Sequence, residues 1–261
     1  MERWERAGSR ICASRNTGVT GMPQARGIVR IGTSGWQYRH WVGPFYPEKT
    51  SAARMLHVYG RHFATTEINS TFYRLPDPTA VATWRDATPA GFVFACKASR
   101  YITHMKKLKD PAETLAAFFT VVDALGDKAG PVLFQLPPRW RVNSGRLADF
   151  LACLPAGRRC VFEFRDSTWW TDEILALLHD QGAGFCIFDL AGTATHANVT
   201  ADFAYVRLHG PGTAYRGSYS DEALRGWAAD GLDVYVYFDN DADAHAPHNA
   251  ASLLAIIGGK A

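Results

Sequence analysis

The chain has 261 residues, 47% hydrophobic and 20% charged, which suits a globular protein with a large core; one α/β barrel of about 250 residues would use nearly all of it. A net charge of +3 excludes a global basic field for nucleic acid, so any such binding must be local. The five cysteines include no C-x-x-C pair and no apolar run approaches the roughly 18 residues of a spanning helix, which argues against a disulfide framework, structural zinc or a membrane span and for a cytoplasmic protein with reduced thiols.

Residues 1–26 carry five arginines (Arg3, Arg6, Arg10, Arg15 and Arg26) without the apolar stretch of a signal peptide. They read as a disordered, solvated tail, with Met22 as an alternative start, ahead of one barrel domain over residues 27–261. Eight β-rich runs follow: Arg30 to Ser34, Ala64 to Asn69, Phe92 to Lys97, Val132 to Gln135, Cys160 to Arg165, Phe185 to Asp189, Ala204 to His209 and Val234 to Asp239. Their apolar, β-branched and aromatic content fits strands buried on both faces.

Helical patterns separate most of these runs. Asp77-Pro78 places a cap residue before a proline at the first helical position. Asp110-Pro111-Ala112-Glu113 resembles a capping box, and Leu115, Phe118, Phe119, Val122 and Leu125 follow at helical spacing before Gly126. Thr171 and Ser220 each precede two acids, and Gly182 and Gly231 close those helices. The stretch from Ala191 to Asp202 is too short and polar for a helix. Alternating strands and helices imply parallel pairing, and eight units without a Gly-x-Gly-x-x-Gly fingerprint favour a single TIM-type (β/α)8 barrel.

Side chains alternate along a strand, so Thr65, Glu67 and Asn69 share a face, as do Val161, Glu163 and Arg165, and Tyr205, Arg207 and His209. Lys97, Gln135, Asp189 and Asp239 end four other strands. These polar groups fall where barrel active sites are built. Mutual neutralisation within a structural charge layer is the alternative, although buried ion pairs seldom add net stability over apolar replacements. Trp36, Tyr38, Trp41, Trp169, Trp170, Tyr215 and Tyr219 lie in loops beyond the strand ends, where aromatic faces stack on bases or sugars or simply cover the barrel. The Ser99 to Lys109 loop adds positive charge, and His209-Gly210-Pro211-Gly212 falls where many barrels cradle phosphate.

Gly32-Thr33-Ser34-Gly35-Trp36, Phe45-Tyr46-Pro47, Glu67-Ile68-Asn69-Ser70-Thr71-Phe72-Tyr73 and Thr103-His104 resemble the YecE-like family, domain of unknown function seventy-two. So do Phe134-Gln135-Leu136-Pro137-Pro138, Glu163-Phe164-Arg165, Arg207-Leu208-His209-Gly210 and Asp239-Asn240-Asp241, in order over most of the chain. The resemblance implies a TIM barrel but no settled activity. Its motif positions fall on Trp36, Tyr38, Glu67, Asn69, Tyr73, Lys97, His104, Gln135, Glu163, Arg165, Arg207, His209, Asn240 and Asn249.

The leading expectation is a phosphorylated small molecule or single-stranded nucleic acid, held by Lys97, Arg165 and Arg207 and stacked on Trp36, Tyr38 and Trp41. Glu67 or Glu163 would be the base and His209 the acid, as in a phosphoester hydrolase. Paired carboxylates Glu67 and Glu163 also suit glycosidic-bond hydrolysis or sugar isomerisation, although neighbouring arginines oppose a protonated carboxyl. A divalent metal on Glu163, Asp189, His209 and Asp239, with His245 and His248 nearby, is the least favoured reading. A non-enzymatic sensor would use the same pocket, and neither cofactor identity nor oligomeric state is legible.

Overall fold

A computed structural model describes residues 27–221, 223 and 232–258. The tail over residues 1–26 and the Gly231 helix end lie outside the described residues. The barrel strands are β1 (Val29–Thr33), β2 (Thr65–Ile68), β3 (Val93–Lys97), β4 (Ala129–Leu136), β5 (Cys160–Phe164), β6 (Gly184–Leu190), β8 (Phe203–Leu208) and β9 (Asp233–Phe238). They pair in parallel in the order β1-β9-β8-β6-β5-β4-β3-β2. A Ser34–Glu67 bridge joins β1 to β2, so the sheet curls into a nearly closed TIM-type barrel.

Alternation along these strands separates two cores. Ala95, Leu133, Val161, Cys186, Tyr205 and Tyr237 pack inside the barrel, while Phe94, Phe134, Phe162, Ile187 and Val206 face the surrounding helices. Small inward residues make room for the tyrosines, and Thr65 satisfies the buried Tyr237 hydroxyl at 2.7 Å.

The helix signals are mostly realised. Asp77 accepts from the Thr79 amide at 2.8 Å, Thr171 from Ile174 at 3.4 Å, and Ser220 from Ala223 at 3.2 Å. Gly126 and Gly182 lie just beyond their helices with φ of 56° and 62°. The capping box does not form: Asp110 has φ 46° and no side-chain cap, and its carboxylate lies 3.9 Å from Lys106. The turn that buries Leu108 places Lys107, Leu108 and Asp110 at positive φ, which points the acid away from the helix amides. Between Ala191 and Asp202 the chain forms β7 (Thr193–Ala194), antiparallel to β6, where the hydroxyls of Thr195 and Thr200 accept from the Phe188 and Phe185 amides. Cys96, Cys160 and Cys186 are buried free thiols. No helix among the described residues is long and apolar enough to cross a membrane.

Candidate functional site

The inward side chains at the C-terminal strand ends meet in one charged cluster. Arg207 of β8 is fully buried and crosses the barrel to carboxylates on three other strands. Its Nη1 donates to Glu163 at 2.8 Å, and its Nη2 to Glu67 at 2.7 Å and Asp239 at 3.2 Å. Glu67, also fully buried, accepts further bonds from Ser34 and from the Tyr205 hydroxyl at 2.6 Å. Arg165 donates through Nε to Glu163. Glu67, Glu163 and Asp239 thus face Arg165, Arg207 and Lys97, as charges removed from water require.

Burial would push the Glu163 carboxyl up, but Arg165 and Arg207 outweigh it and hold the group well below the usual carboxylate range. Asp239 is likewise held low, the contributions of His209 and Arg207 overcoming burial. His209 is fully buried, and burial followed by the Arg207 charge lowers its pKa. Its Nε2 lies 3.0 Å from Arg165 Nη2 and 3.2 Å from Arg207 Nη1. Guanidiniums only donate, so Nε2 is the acceptor and the neutral ring carries its proton on Nδ1. That atom lies 3.0 Å from Asp239 Oδ2, an electrostatic contact outside good hydrogen-bond alignment.

Lys97 differs from these groups. Among the described residues its ammonium has no hydrogen bond and no carboxylate within 4.0 Å; it lies 4.5 Å above the Phe72 ring. Burial, then repulsion from Arg207, lowers its pKa. Phe72 is placed by the helical turn Ser70–Tyr73, which Thr71 ties to the Lys97 carbonyl at 2.7 Å. His104 stands edge-on to Phe72, with ring centroids 5.0 Å apart, and burial together with Lys97, Arg100 and Arg165 depresses its pKa to about 4. Arg165 Nη1 also has no hydrogen bond among the described residues. Gln135, half-buried, pairs in register with Glu163.

Other expected site residues lie elsewhere or do other work. Trp36 and Trp41 are 3% and 0% exposed, so neither offers a face for base stacking; they pack on Trp84 and Tyr46. Tyr38 donates to the Ser34 carbonyl at 2.7 Å, and burial followed by Asp239 raises its pKa. Tyr73 is 73% exposed, and Asn69 has an unpartnered buried Oδ1 beside the short turn. Asp189, Asn240 and Asn249 form a separate network that anchors Tyr219: its hydroxyl donates to Asp189 at 2.9 Å, its amide to Asn249 at 3.2 Å, and Asn240 donates to Asn249 at 2.9 Å. The Gly210 amide donates to the Tyr219 hydroxyl at 2.9 Å, so it is not free to cradle an oxyanion.

Of the four expected metal ligands, Glu163, His209 and Asp239 meet in the cluster, but Asp189 turns to Tyr219 and guanidiniums occupy Glu163 and the His209 Nε2. Among the described residues no group of three His, Cys, Asp or Glu is arranged to hold a metal ion. His245 is half-buried and His248 exposed. His209 directs Nε2, without a proton in the neutral ring, toward the two arginines and Nδ1 toward Asp239.

Ser34 and Phe188 also line the cluster, through contacts to Arg207 and Arg165. Inward residues on β6 follow Cys186 in steps of two, which selects Phe188 rather than Asp189; its ring lies 4.9 Å from the Arg165 guanidinium. Ser34 follows the same parity from Gly32 and Arg30, a signal present in the alternation of β1.

The model of the family described as a protein of unknown function, DUF72, matches residues 30–261. The chain belongs to this family. It is 31% identical over 168 residues to UPF0759 protein YecE of Escherichia coli strain K12, a match covering 62% of this chain and 59% of that protein. A crystal structure of a DUF72 family protein from Thermotoga maritima (TM1631) has a TM-score of 0.77 at 25% identity, covering 88% of this chain and 99% of that one. One from Enterococcus faecalis (EF0366) has a TM-score of 0.74 at 17% identity, covering 88% and 95%, and shows the fold alone.

Proposed function

We propose that the protein binds a small phosphorylated ligand at the C-terminal mouth of the barrel, with the phosphate between Lys97 and Arg165. The supporting observation is an asymmetry of satisfaction. Glu67, Glu163 and Asp239 accept from or contact cations within the cluster, whereas the Lys97 ammonium and Arg165 Nη1 keep unused donors. An incoming oxyanion would complete both, and a guanidinium edge suits phosphate geometry. Exposed Arg100, Lys107, Lys109, Arg139 and Arg141 lie on the loops after β3 and β4 and would draw an anion inward.

A small ligand is favoured over a polymer because Trp36 and Trp41 are buried and provide no stacking platform. Glycoside hydrolysis is disfavoured because it needs a carboxyl that carries a proton, whereas Glu163 is held ionised by two arginines and Glu67 accepts from Arg207, Ser34 and Tyr205. Thermal shift with inorganic phosphate, sugar phosphates, nucleotides and an oligonucleotide tests the reading. A ligand at 100 times its dissociation constant adds about 2.7 kcal/mol, and Lys97→Met should remove the shift. No response to any phosphate compound sinks the proposal; a response to the oligonucleotide alone would replace the small ligand with a polymer.

A further inference from the structure

We propose that Lys97 is a nucleophile that forms an imine with a carbonyl-bearing anion at the mouth, its amine on the reacting carbon and Arg165 on the anionic group. This inference rests on the anion-binding reading and adds a reaction to it.

A comparison of half-buried lysines carries the case. Lys128, before β4, donates to the Arg85 carbonyl at 2.5 Å, the Thr88 carbonyl at 2.7 Å and the Thr88 hydroxyl at 3.0 Å. Three acceptors occupy its donors. Lys106 lies 3.9 Å from the Asp110 carboxylate. Among the described residues Lys97 has no carbonyl at hydrogen-bond distance and no carboxylate within 4.0 Å, and its ammonium lies over the Phe72 ring face. A ring face is worth less than a formal negative charge at hydrogen-bond distance.

The surroundings favour the free amine. Arg207 repels the ammonium and adds to the cost of burial, while the carboxylates Glu163, Glu67 and Asp239, which would oppose this, are themselves engaged by arginine or histidine. A desolvated lysine beside other cations is a recognised way to obtain a neutral, nucleophilic amine near neutral pH. The placement also suits attack, because Lys97 ends an inward-facing row on β3 at the C-terminal side of the barrel. Thr71 fixes its backbone carbonyl, and the Phe72 ring restricts the side chain.

The step balances without a further reagent. The amine nitrogen bonds to the carbonyl carbon, the carbonyl oxygen leaves as water with the two amine hydrogens, and a carbon–nitrogen double bond remains. The substrate class is therefore an aldehyde or ketone that also carries a phosphate or carboxylate.

The test uses the full chain with two probes, pyridoxal 5′-phosphate (aldehyde and phosphate) and pyruvate (ketone and carboxylate). Each mixture is reduced with borohydride and mapped by peptide mass spectrometry. The expected result is reduced adduct on Lys97 ahead of the exposed Lys49, Lys107 and Lys109, suppressed by excess inorganic phosphate. Lys97→Arg should lose that adduct, because a guanidinium is no nucleophilic amine. Adduct spread over the exposed lysines with Lys97 unmodified would overturn the inference, and the wild-type map gives that answer even if the variant fails to fold. Phosphate binding without a Lys97 adduct removes the covalent step and leaves the anion site standing. A Lys97 adduct without phosphate binding or suppression refutes the phosphate reading instead.

Discussion

The two ends of the barrel use the same residue types to different effect. At the N-terminal end, Arg159 donates to Asp233 at 2.7 Å, the Tyr235 hydroxyl at 3.0 Å and Asp202 at 3.1 Å; Arg158 pairs with Asp123, and Lys128 fills three acceptors. These cations are satisfied, and Arg159 keeps 31% side-chain exposure, so water shares the cost of its charge. At the C-terminal end, Arg207, Glu67 and Glu163 are fully buried, while Lys97 and one amino group of Arg165 have no hydrogen-bond partner among the described residues. A closed network explains itself as structure. Unused donors above a buried charged floor are what the proposed anion would fill.

Substitutions at the two ends should separate in size. Arg207→Met leaves the buried Glu67 carboxylate without its cation and takes one of two arginines from Glu163, and should cost about 3–5 kcal/mol in urea unfolding. Lys128→Met removes charge-assisted bonds from half-buried acceptors and should cost about 1–3 kcal/mol. Arg159→Met, at a partly solvated site, should stay within about 1 kcal/mol. Equal losses for Arg207 and Arg159 would erase the contrast. Lys97→Met should change stability by less than about 0.5 kcal/mol while abolishing the phosphate-dependent thermal shift; a large stability loss would make Lys97 structural.

Acid titration provides a further contrast. The folded-state pKa of His209 is lowered, so the unfolded chain binds the proton more readily and the stabilisation is complete only above the ordinary histidine value of about 6.5. It is lost as pH falls below that value, and His104, depressed to about 4, acts with the same sign. Glu163 and Asp239, also lowered, contribute stability above roughly pH 4 that disappears on further acidification. Unfolding free energies measured from pH 7.5 down to 5, an interval of about one histidine titration, should decline less in His209→Asn than in the parent. An unchanged decline would place the acid sensitivity outside the cluster.

Much of the cluster was legible because strand alternation is a local rule. Glu67, Lys97, Glu163, Arg165, Arg207, His209 and Asp239 all obey it. Asp189 lies near the end of its strand but off the inward parity, and the inward position belongs to Phe188. Trp36 and Trp41 look like a rim from their loop position, but the loop folds back and buries them. Asn240 and Asn249 match the family pattern yet secure the Tyr219 loop, a role that no spacing between them discloses.

The sequence by itself determined eight barrel strands, most of them followed by a helix, the barrel they imply, the family, and the polar character of the strand ends, since these follow from periodicity and motif along the chain. Only the tertiary structure decided which charges cancel. Arg207 meets Glu67 across 140 residues because closing the barrel brings β8 opposite β2. Whether a cation is consumed or left with donors to spare is set by distances across that interior, which no local pattern encodes.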